Sequence, residues 1–146
     1  MIVNTAYIYM GSGGGGGEPA NPNLWQNGVS NYPVEFTNSS ITATGLQFIA
    51  RPGDATFSEL PLTYFNSLTL TGRITSGPGI STTVEININF YSSDNVLIGT
   101  TTAAFSKSEN SVTVDIPSSA KIQNAKIKIE KTESGHAVTL FSALLS

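Results

Sequence analysis

The feature that most constrains the fold is a strict alternation of apolar and polar residues over residues 84–91. The apolar members of this segment are Val84, Ile86, Ile88 and Phe90. The polar members are Glu85, Asn87, Asn89 and Tyr91. Because successive side chains of a β-strand point to opposite faces, the pattern predicts a strand with one buried and one solvated face. Turn residues follow at 92–95, and residues 96–105 are predicted to return as the partner strand of a hairpin.

The same extended character recurs along the rest of the chain. The predicted strands are 32–37, 40–50, 62–74, 84–91, 96–105, 111–116, 125–131 and 137–145. Clusters of Gly, Pro, Asn and Asp separate them, and no segment has a convincing helical period, although residues 118–121 fit one short turn. The sequence therefore predicts an all-β fold, a two-sheet antiparallel β-sandwich of the jelly-roll type with about eight strands.

A jelly roll whose strands follow chain order fixes which of them are neighbours. One sheet is expected to hold 40–50, 125–131, 84–91 and 96–105 side by side. The apolar phase of segment 40–50 shifts at Gly45, as it would at a β-bulge. The outer face of the expected sheet gathers Glu85, Asn87, Asn89, Tyr91, Lys126 and Lys128.

A glycine-rich run at residues 11–23, GSGGGGGEPANPN, divides the chain. Its composition is that of a flexible linker, and the Lys and Ser/Thr of a phosphate-binding loop do not follow it. We therefore expect an N-terminal extended arm and linker over 1–23 and a jelly-roll domain over 24–146. Trp25, the single tryptophan, follows the linker directly, and the loop end with Trp25, Tyr32, Arg51 and Asp54 is a second candidate binding site. The more common role of such a tryptophan is to plug the bottom of a sandwich core.

The composition excludes several classes of protein. A net charge of −3 and a charged fraction of 12% are unlike the clustered basic surface of a nucleic-acid binder. The absence of cysteine excludes a disulfide, a thiolate metal site and a cysteine nucleophile. No apolar stretch approaches the roughly 18 residues of a membrane span, and the first ten residues lack the features of a signal peptide.

Catalysis finds little support in the sequence. His136 is the only histidine, lies in a Gly-His turn and is expected to be solvated, and no Gly-x-Ser-x-Gly elbow exists. Glycoside cleavage requires two acids that flank a cleft; Glu59, Glu85, Asp94 and Asp115 are available, but nothing in their spacing brings any two together. We therefore predict that the protein is not an enzyme and requires no cofactor. A structural calcium ion is left open, because Asp54 and Asp94 offer suitable oxygen ligands.

Binding is the better interpretation of the polar residues around 84–91. A neutral sugar needs hydrogen-bond donors and acceptors in fixed directions and a flat apolar plate for a ring face. Glu85, Asn87, Asn89 and Lys128 can supply the hydrogen bonds, and Tyr91 can supply the plate. The alternative is that these residues form the ordinary solvated side of an antiparallel sheet.

The body of the chain resembles galactose-binding-like jelly-roll modules. The resemblance covers residues 32–145 and consists of a pattern of strands. The segments that carry it are 62–72 (LTYFNSLTLTG), 86–91 (ININFY) with the Asp94-Asn95 hairpin, 112–117 (VTVDIP) and 125–129 (AKIKI). The short tyrosine-containing head with its polyglycine linker is similar to phage and prophage structural proteins that add small β modules to tails or capsids.

That resemblance implies a noncatalytic role. The leading hypothesis is a virion structural or accessory protein, which residues 1–10 attach to other virion or surface proteins and which leaves the cell without a signal peptide. Phage structural modules are often homotrimers, so the resemblance also implies a homo-oligomer. The alternative hypothesis is a carbohydrate-binding module that recognises a neutral glycan on the 84–91 face.

Overall fold

Residues 20–146, the part of the chain that the computed structural model describes, form twelve β-strands and two short 3-10 helices. The strands are β1 (Trp25–Gln26), β2 (Val29–Ser30), β3 (Val34–Thr37), β4 (Ser39–Thr42), β5 (Gly45–Phe48), β6 (Gly53–Leu60), β7 (Ser67–Ser76), β8 (Val84–Tyr91), β9 (Leu97–Phe105), β10 (Asn110–Asp115), β11 (Ala125–Lys131) and β12 (Ala137–Leu145). The helices are Leu62–Tyr64 and Ser118–Ala120, the second of which the sequence predicted.

The strands build two five-stranded antiparallel sheets, with β1 and β2 as a separate pair. One sheet has the order β10-β7-β12-β5-β4, and the other has the order β3-β6-β11-β8-β9. Apolar side chains from both sheets form the core; the largest fully buried ones include Phe48, Phe57, Phe90 and Phe105. The prediction of an all-β jelly-roll sandwich is confirmed. No helix within residues 20–146 has the length and apolar character needed to cross a bilayer.

The predicted neighbours of residues 84–91 are partly right. Strands β11, β8 and β9 lie side by side as expected. Segment 40–50 does not join them: it forms the hairpin β4–β5 in the opposite sheet. The phase shift at Gly45 is therefore a tight turn rather than a bulge. Gly45 has φ +140°, and a Cβ there would lie 2.2 Å from the carbonyl oxygen of Leu140 in β12.

The place expected for segment 40–50 is taken by β6, a strand that the sequence analysis missed. Ala55 and Phe57 point into the core, whereas Asp54 and Thr56 point outward. The alternation then slips at Glu59, whose φ is +57°, so that Leu60 is buried again. This slip coincides with a register shift against β11. Because the alternation of apolar and polar residues is interrupted there, the sequence pattern did not predict β6.

The hairpin β1–β2 explains the position of Trp25. Asn27 and Gly28 connect the two strands with φ values of +53° and +82°, as a two-residue turn with left-handed backbone requires. The Trp25 ring stacks on Phe57 with centroids 5.8 Å apart, and its Nε1 donates to the Phe141 carbonyl at 3.2 Å. Trp25 is 3% exposed, so its predicted role as a core plug is confirmed.

Hydrogen bonds to the body begin within the predicted linker. The Tyr32 hydroxyl donates to the Asn21 carbonyl at 2.7 Å, and the Leu145 amide donates to the Pro22 carbonyl at 2.7 Å. The predicted arm at residues 1–10 and the linker up to residue 19 lie outside the described residues.

The β8–β9 ladder contains one irregularity near its hairpin. Phe90 pairs with Gly99, but the next residue, Tyr91, pairs with Leu97. Ile98 is therefore an additional residue in β9.

Candidate functional site

All five predicted site residues lie on the outer side of the sheet β3-β6-β11-β8-β9. Glu85, Asn87, Asn89 and Tyr91 alternate along β8 with the buried apolar residues. Lys128 of β11 is the direct cross-strand partner of Asn89. We call this outer side of the sheet the polar face.

The neighbouring strands add residues that the sequence analysis did not place here. Their register positions put them on the same side of the sheet. The further members of the polar face are Glu35, Asp54, Thr56, Lys126, Glu130, Thr100 and Thr102. Lys126 and Glu130 were expected on this side, because both alternate with the buried residues of β11; the others depend on which strands are neighbours and in what register.

A hydrogen-bonded network crosses the centre of the polar face. Thr100 Oγ1 donates to Asn89 Oδ1 at 2.5 Å, and Asn89 Nδ2 donates to Glu130 Oε1 at 3.5 Å. Lys128 Nζ lies 3.9 Å from Glu130 Oε2. The network therefore joins β9, β8 and β11, and it fixes which side of the Asn89 amide faces each neighbouring strand.

The other predicted residues are available to a ligand. Within residues 20–146, the side chains of Glu85, Asn87 and Tyr91 make no hydrogen bond or ion pair. Tyr91 is half-buried, and its cross-strand partner Leu97 is 54% exposed. Lys126, the partner of Tyr91 on β11, donates to Asn95 Oδ1 at 2.7 Å. The hairpin end of the polar face thus offers an aromatic ring beside an exposed aliphatic side chain.

Carboxylates outnumber lysines on the polar face. The acidic residues are Glu35, Asp54, Glu85 and Glu130, and the basic residues are Lys126 and Lys128. Asp54 and Glu130, which were not among the acids considered for glycoside cleavage, are direct cross-strand partners. They stand side by side on neighbouring strands of one sheet. Burial raises the pKa of Asp54, the Lys128 charge opposes the rise, and the Glu130 charge adds to it.

A second polar cluster closes one end of the sandwich and corrects the expectation for His136. His136 is 8% exposed rather than solvated. Its Nδ1 lies 2.5 Å from Glu133 Oε2, and its Nε2 lies 2.8 Å from the Pro78 carbonyl oxygen. The contact between His136 Nε2 and the Pro78 carbonyl joins the loop before β12 to the loop before β8. No serine is hydrogen-bonded to His136 among the described residues, so the arrangement is not that of a Ser-His nucleophile.

Lys131 completes this cluster from inside the core. Its side chain is fully buried at the end of β11, where Nζ donates to the Glu133 carbonyl at 2.5 Å and lies 3.6 Å from Glu133 Oε1. Burial lowers the pKa of Lys131, and the Glu133 charge opposes that shift. We call Lys131, Glu133 and His136 the polar latch.

The polar latch predicts a pH dependence of stability. The hydrogen bond to Glu133 raises the pKa of His136 above 6.5, with the Pro78 carbonyl adding to the rise and burial and the Lys107 charge opposing it. A histidine with a raised pKa in the folded state contributes stability below its unfolded pKa, and this is lost as pH rises through the folded value. The melting temperature of wild type minus that of His136→Gln should therefore be larger at about pH 5.5 than at about pH 8. An equal difference at both pH values would contradict this assignment.

The two predicted calcium ligands occupy different elements. Asp54 lies in β6, and Asp94 lies in the turn between β8 and β9. Within residues 20–146, no group of three or more His, Asp or Glu side chains is placed to hold a metal ion.

No protein-family model matches the sequence, and no curated protein matches it. Solved structures do match. A family 29 carbohydrate-binding module aligns with a TM-score of 0.59 and 12% identity over 85% of this chain and 89% of its own. The xylan-binding module CBM15 aligns with a TM-score of 0.57 and 13% identity over 76% of this chain and 82% of its own.

Enzymes also appear among the structural neighbours, through one part of their chains. An agarase aligns with a TM-score of 0.56 and 11% identity over 86% of this chain but only 26% of its own. At such low identity these likenesses establish the jelly-roll β-sandwich fold. The family 29 module and CBM15, which are binding modules by name, match over most of their own length, unlike the agarase.

Proposed function

We propose that the protein is a noncatalytic carbohydrate-binding module that holds a neutral glycan on the polar face. One juxtaposition carries the proposal: the unpartnered Asn87 amide, the fixed Asn89 amide and the half-buried Tyr91 ring lie in a line along β8. Amides hydrogen-bond sugar hydroxyls as both donor and acceptor, and a ring face packs against the C–H groups of a pyranose.

The charge on the polar face favours a ligand without acidic groups. Lys128 lies beside Glu130, and Lys126 is engaged by Asn95. The carboxylates of Asp54 and Glu85 remain without an ion-pair partner among the described residues. A uronate or sulfated polymer would meet net repulsion, whereas a neutral glycan would not.

The fold is consistent with this role. Carbohydrate-binding modules share the same two-sheet architecture at TM-scores of 0.59 and 0.57. The competing interpretation, an ordinary solvated sheet face, predicts no glycan binding and therefore no effect of substitutions at Asn87 or Tyr91 on affinity.

The virion-accessory hypothesis stays a prediction. It rests on the strand resemblance and on residues 1–10, which lie outside the described residues. The homo-oligomer and the release without a signal peptide are likewise predictions, and a solution mass measurement tests the first. No observation on the described residues favours a virion role over glycan binding.

The proposal is tested by titrating the protein with a panel of soluble neutral polysaccharides and with polygalacturonate and alginate. We expect at least one neutral polymer to bind and the two acidic polymers not to bind. Tyr91→Ala and Asn87→Ala should each weaken binding at least tenfold, which is about 1.4 kcal/mol.

Matched controls separate a site effect from a general surface effect. Tyr64 is 62% exposed in the Leu62–Tyr64 helix, and Gln123 is exposed before β11. Tyr64→Ala and Gln123→Ala should leave the affinity unchanged. Absence of binding to every neutral polymer, or equal losses in site and control variants, would rule out the polar face as a glycan site.

A further inference from the structure

The Asn89 amide is held in one orientation by two neighbours. Thr100 Oγ1 donates to its oxygen from β9, and its nitrogen donates to Glu130 Oε1 on β11. The reverse orientation would place the amide N–H₂ against Thr100 and the amide oxygen against the Glu130 carboxylate. Because two acceptors cannot share a hydrogen bond, the Glu130 contact excludes that reversal.

The fixed amide keeps part of its hydrogen-bonding capacity. A primary amide has two N–H donors and two oxygen lone pairs. Glu130 uses one N–H, and Thr100 uses one lone pair. One donor and one acceptor of half-buried Asn89 remain, with the donor on the β11 side and the acceptor on the β9 side.

We infer that Asn89 recognises two adjacent hydroxyls of one sugar ring, and that Thr100 and Glu130 are positioning residues for this contact. One hydroxyl accepts from Nδ2, and its neighbour donates to Oδ1. This inference rests on the proposed glycan-binding function and specifies its ligand: a neutral glycan whose internal residues keep a vicinal diol.

Linkage chemistry decides which polymers meet that condition. The internal residues of a 1,4-linked pyranose polymer keep free hydroxyls on the adjacent carbons C2 and C3. The internal residues of a 1,3-linked glucan keep hydroxyls at C2, C4 and C6, and no two of these carbons are adjacent. A site that needs a vicinal diol therefore selects 1,4-linked over 1,3-linked chains, because an unmatched amide group would lose its hydrogen bond.

The first experiment measures binding of the full chain to 1,4-linked xylan, glucomannan and galactan and to the 1,3-linked glucan laminarin. We expect at least one 1,4-linked polymer to bind at least tenfold more tightly than laminarin. Periodate cleaves vicinal diols. The polymer that binds most tightly is therefore oxidised with periodate and reduced with borohydride on its own, and the treated polymer should no longer bind the protein. Laminarin that binds as tightly as the best 1,4-linked polymer, or undiminished binding after oxidation, would overturn the inference and leave the proposed function standing.

The second experiment tests the positioning residues. Thr100→Val removes the donor that holds the amide oxygen, and Glu130→Ala removes the acceptor that holds the nitrogen. Each should reduce the ratio of 1,4-linked to 1,3-linked affinity about tenfold, and Thr100→Ser should restore it because it keeps the hydroxyl. Thr102→Val is the matched control, since Thr102 lies on the same strand and face and makes no side-chain hydrogen bond among the described residues.

The outcomes distinguish the positioning role of Thr100 from the proposed glycan-binding function. A merely structural role for Thr100 would lower both affinities together and leave their ratio unchanged, which would overturn the positioning role. Failure of the protein to bind any neutral polymer would defeat the proposed function, and this inference with it.

Discussion

Gly45→Ala is expected to destabilise the protein by at least about 3 kcal/mol, a large part of the 5–15 kcal/mol typical of a folded domain. Gly45 has φ +140°, a backbone conformation that is strained for any residue with a side chain. A Cβ would also lie 2.2 Å from the Leu140 carbonyl oxygen and 2.9 Å from the Phe141 Cα. Since both neighbours are backbone atoms of β12, they cannot move aside without disturbing the sheet. Thermal unfolding should show a melting temperature lower by about 6–12 °C.

Gly99→Ala is the matched control for this substitution. Gly99 is not at positive φ, and the nearest atom to an added Cβ is Cγ of the Pro117 ring at 3.0 Å. A side-chain ring can shift by a few tenths of an ångström, so we expect a much smaller change in melting temperature. Equal effects of the two substitutions would show that close approach of β5 to β12 does not limit stability.

Glu133→Ala is expected to cost about 2–3 kcal/mol, because it leaves the ammonium of Lys131 buried without its charge partner. Lys131 is fully buried, whereas the Glu133 side chain is 34% exposed, which places the loss below that of a wholly buried pair. The substitution also removes the Glu133 contact to His136 Nδ1, while the His136 contact to the Pro78 carbonyl that joins the two loops keeps both partners. Chemical denaturation of wild type and variant measures the difference in the free energy of unfolding.

The double variant Lys131→Met, Glu133→Ala tests the cause. Methionine fills the same buried space without a charge, so the double variant should recover most of the lost stability. Glu109→Ala removes an exposed carboxylate that makes no ion pair among the described residues, and it should change stability by less than about 0.5 kcal/mol. A double variant as unstable as Glu133→Ala would mean that the buried charge is not the source of the loss.

Local pattern predicted the central strands of the sandwich well. The alternation of 84–91 and 125–131 is complete, so their buried and solvated faces follow from the sequence alone. Strand β6 escaped prediction because the positive φ of Glu59 breaks its alternation. The hairpin β4–β5 was mistaken for one bulged strand, since a two-residue turn and a bulge shift the apolar phase in the same way.

The candidate site was predictable along one strand and not across strands. Asn87, Asn89 and Tyr91 share a face of β8 whatever their neighbours are. Thr100 and Glu130 reach Asn89 only because β9 and β11 flank β8 in one particular register, which no local pattern specifies. The polar latch was missed for a similar reason, because Pro78 and His136 belong to loops that meet only in the folded chain.

The additional residue Ile98 divides the β8–β9 hairpin into two parts. One part is the ladder that contains Asn89 and Thr100, and the other is the hairpin end that contains Tyr91, Leu97 and the connection between them. Residues 92–96 connect the two strands at the hairpin end. On the other side of Ile98, Asn89 and Thr100 are direct cross-strand partners. Asn89 and Thr100 pair on the side of Ile98 away from the connection, so their hydrogen bond involves no residue of 92–96. We therefore expect a loop exchanged at residues 92–96 to leave the Asn89–Thr100 hydrogen bond in place.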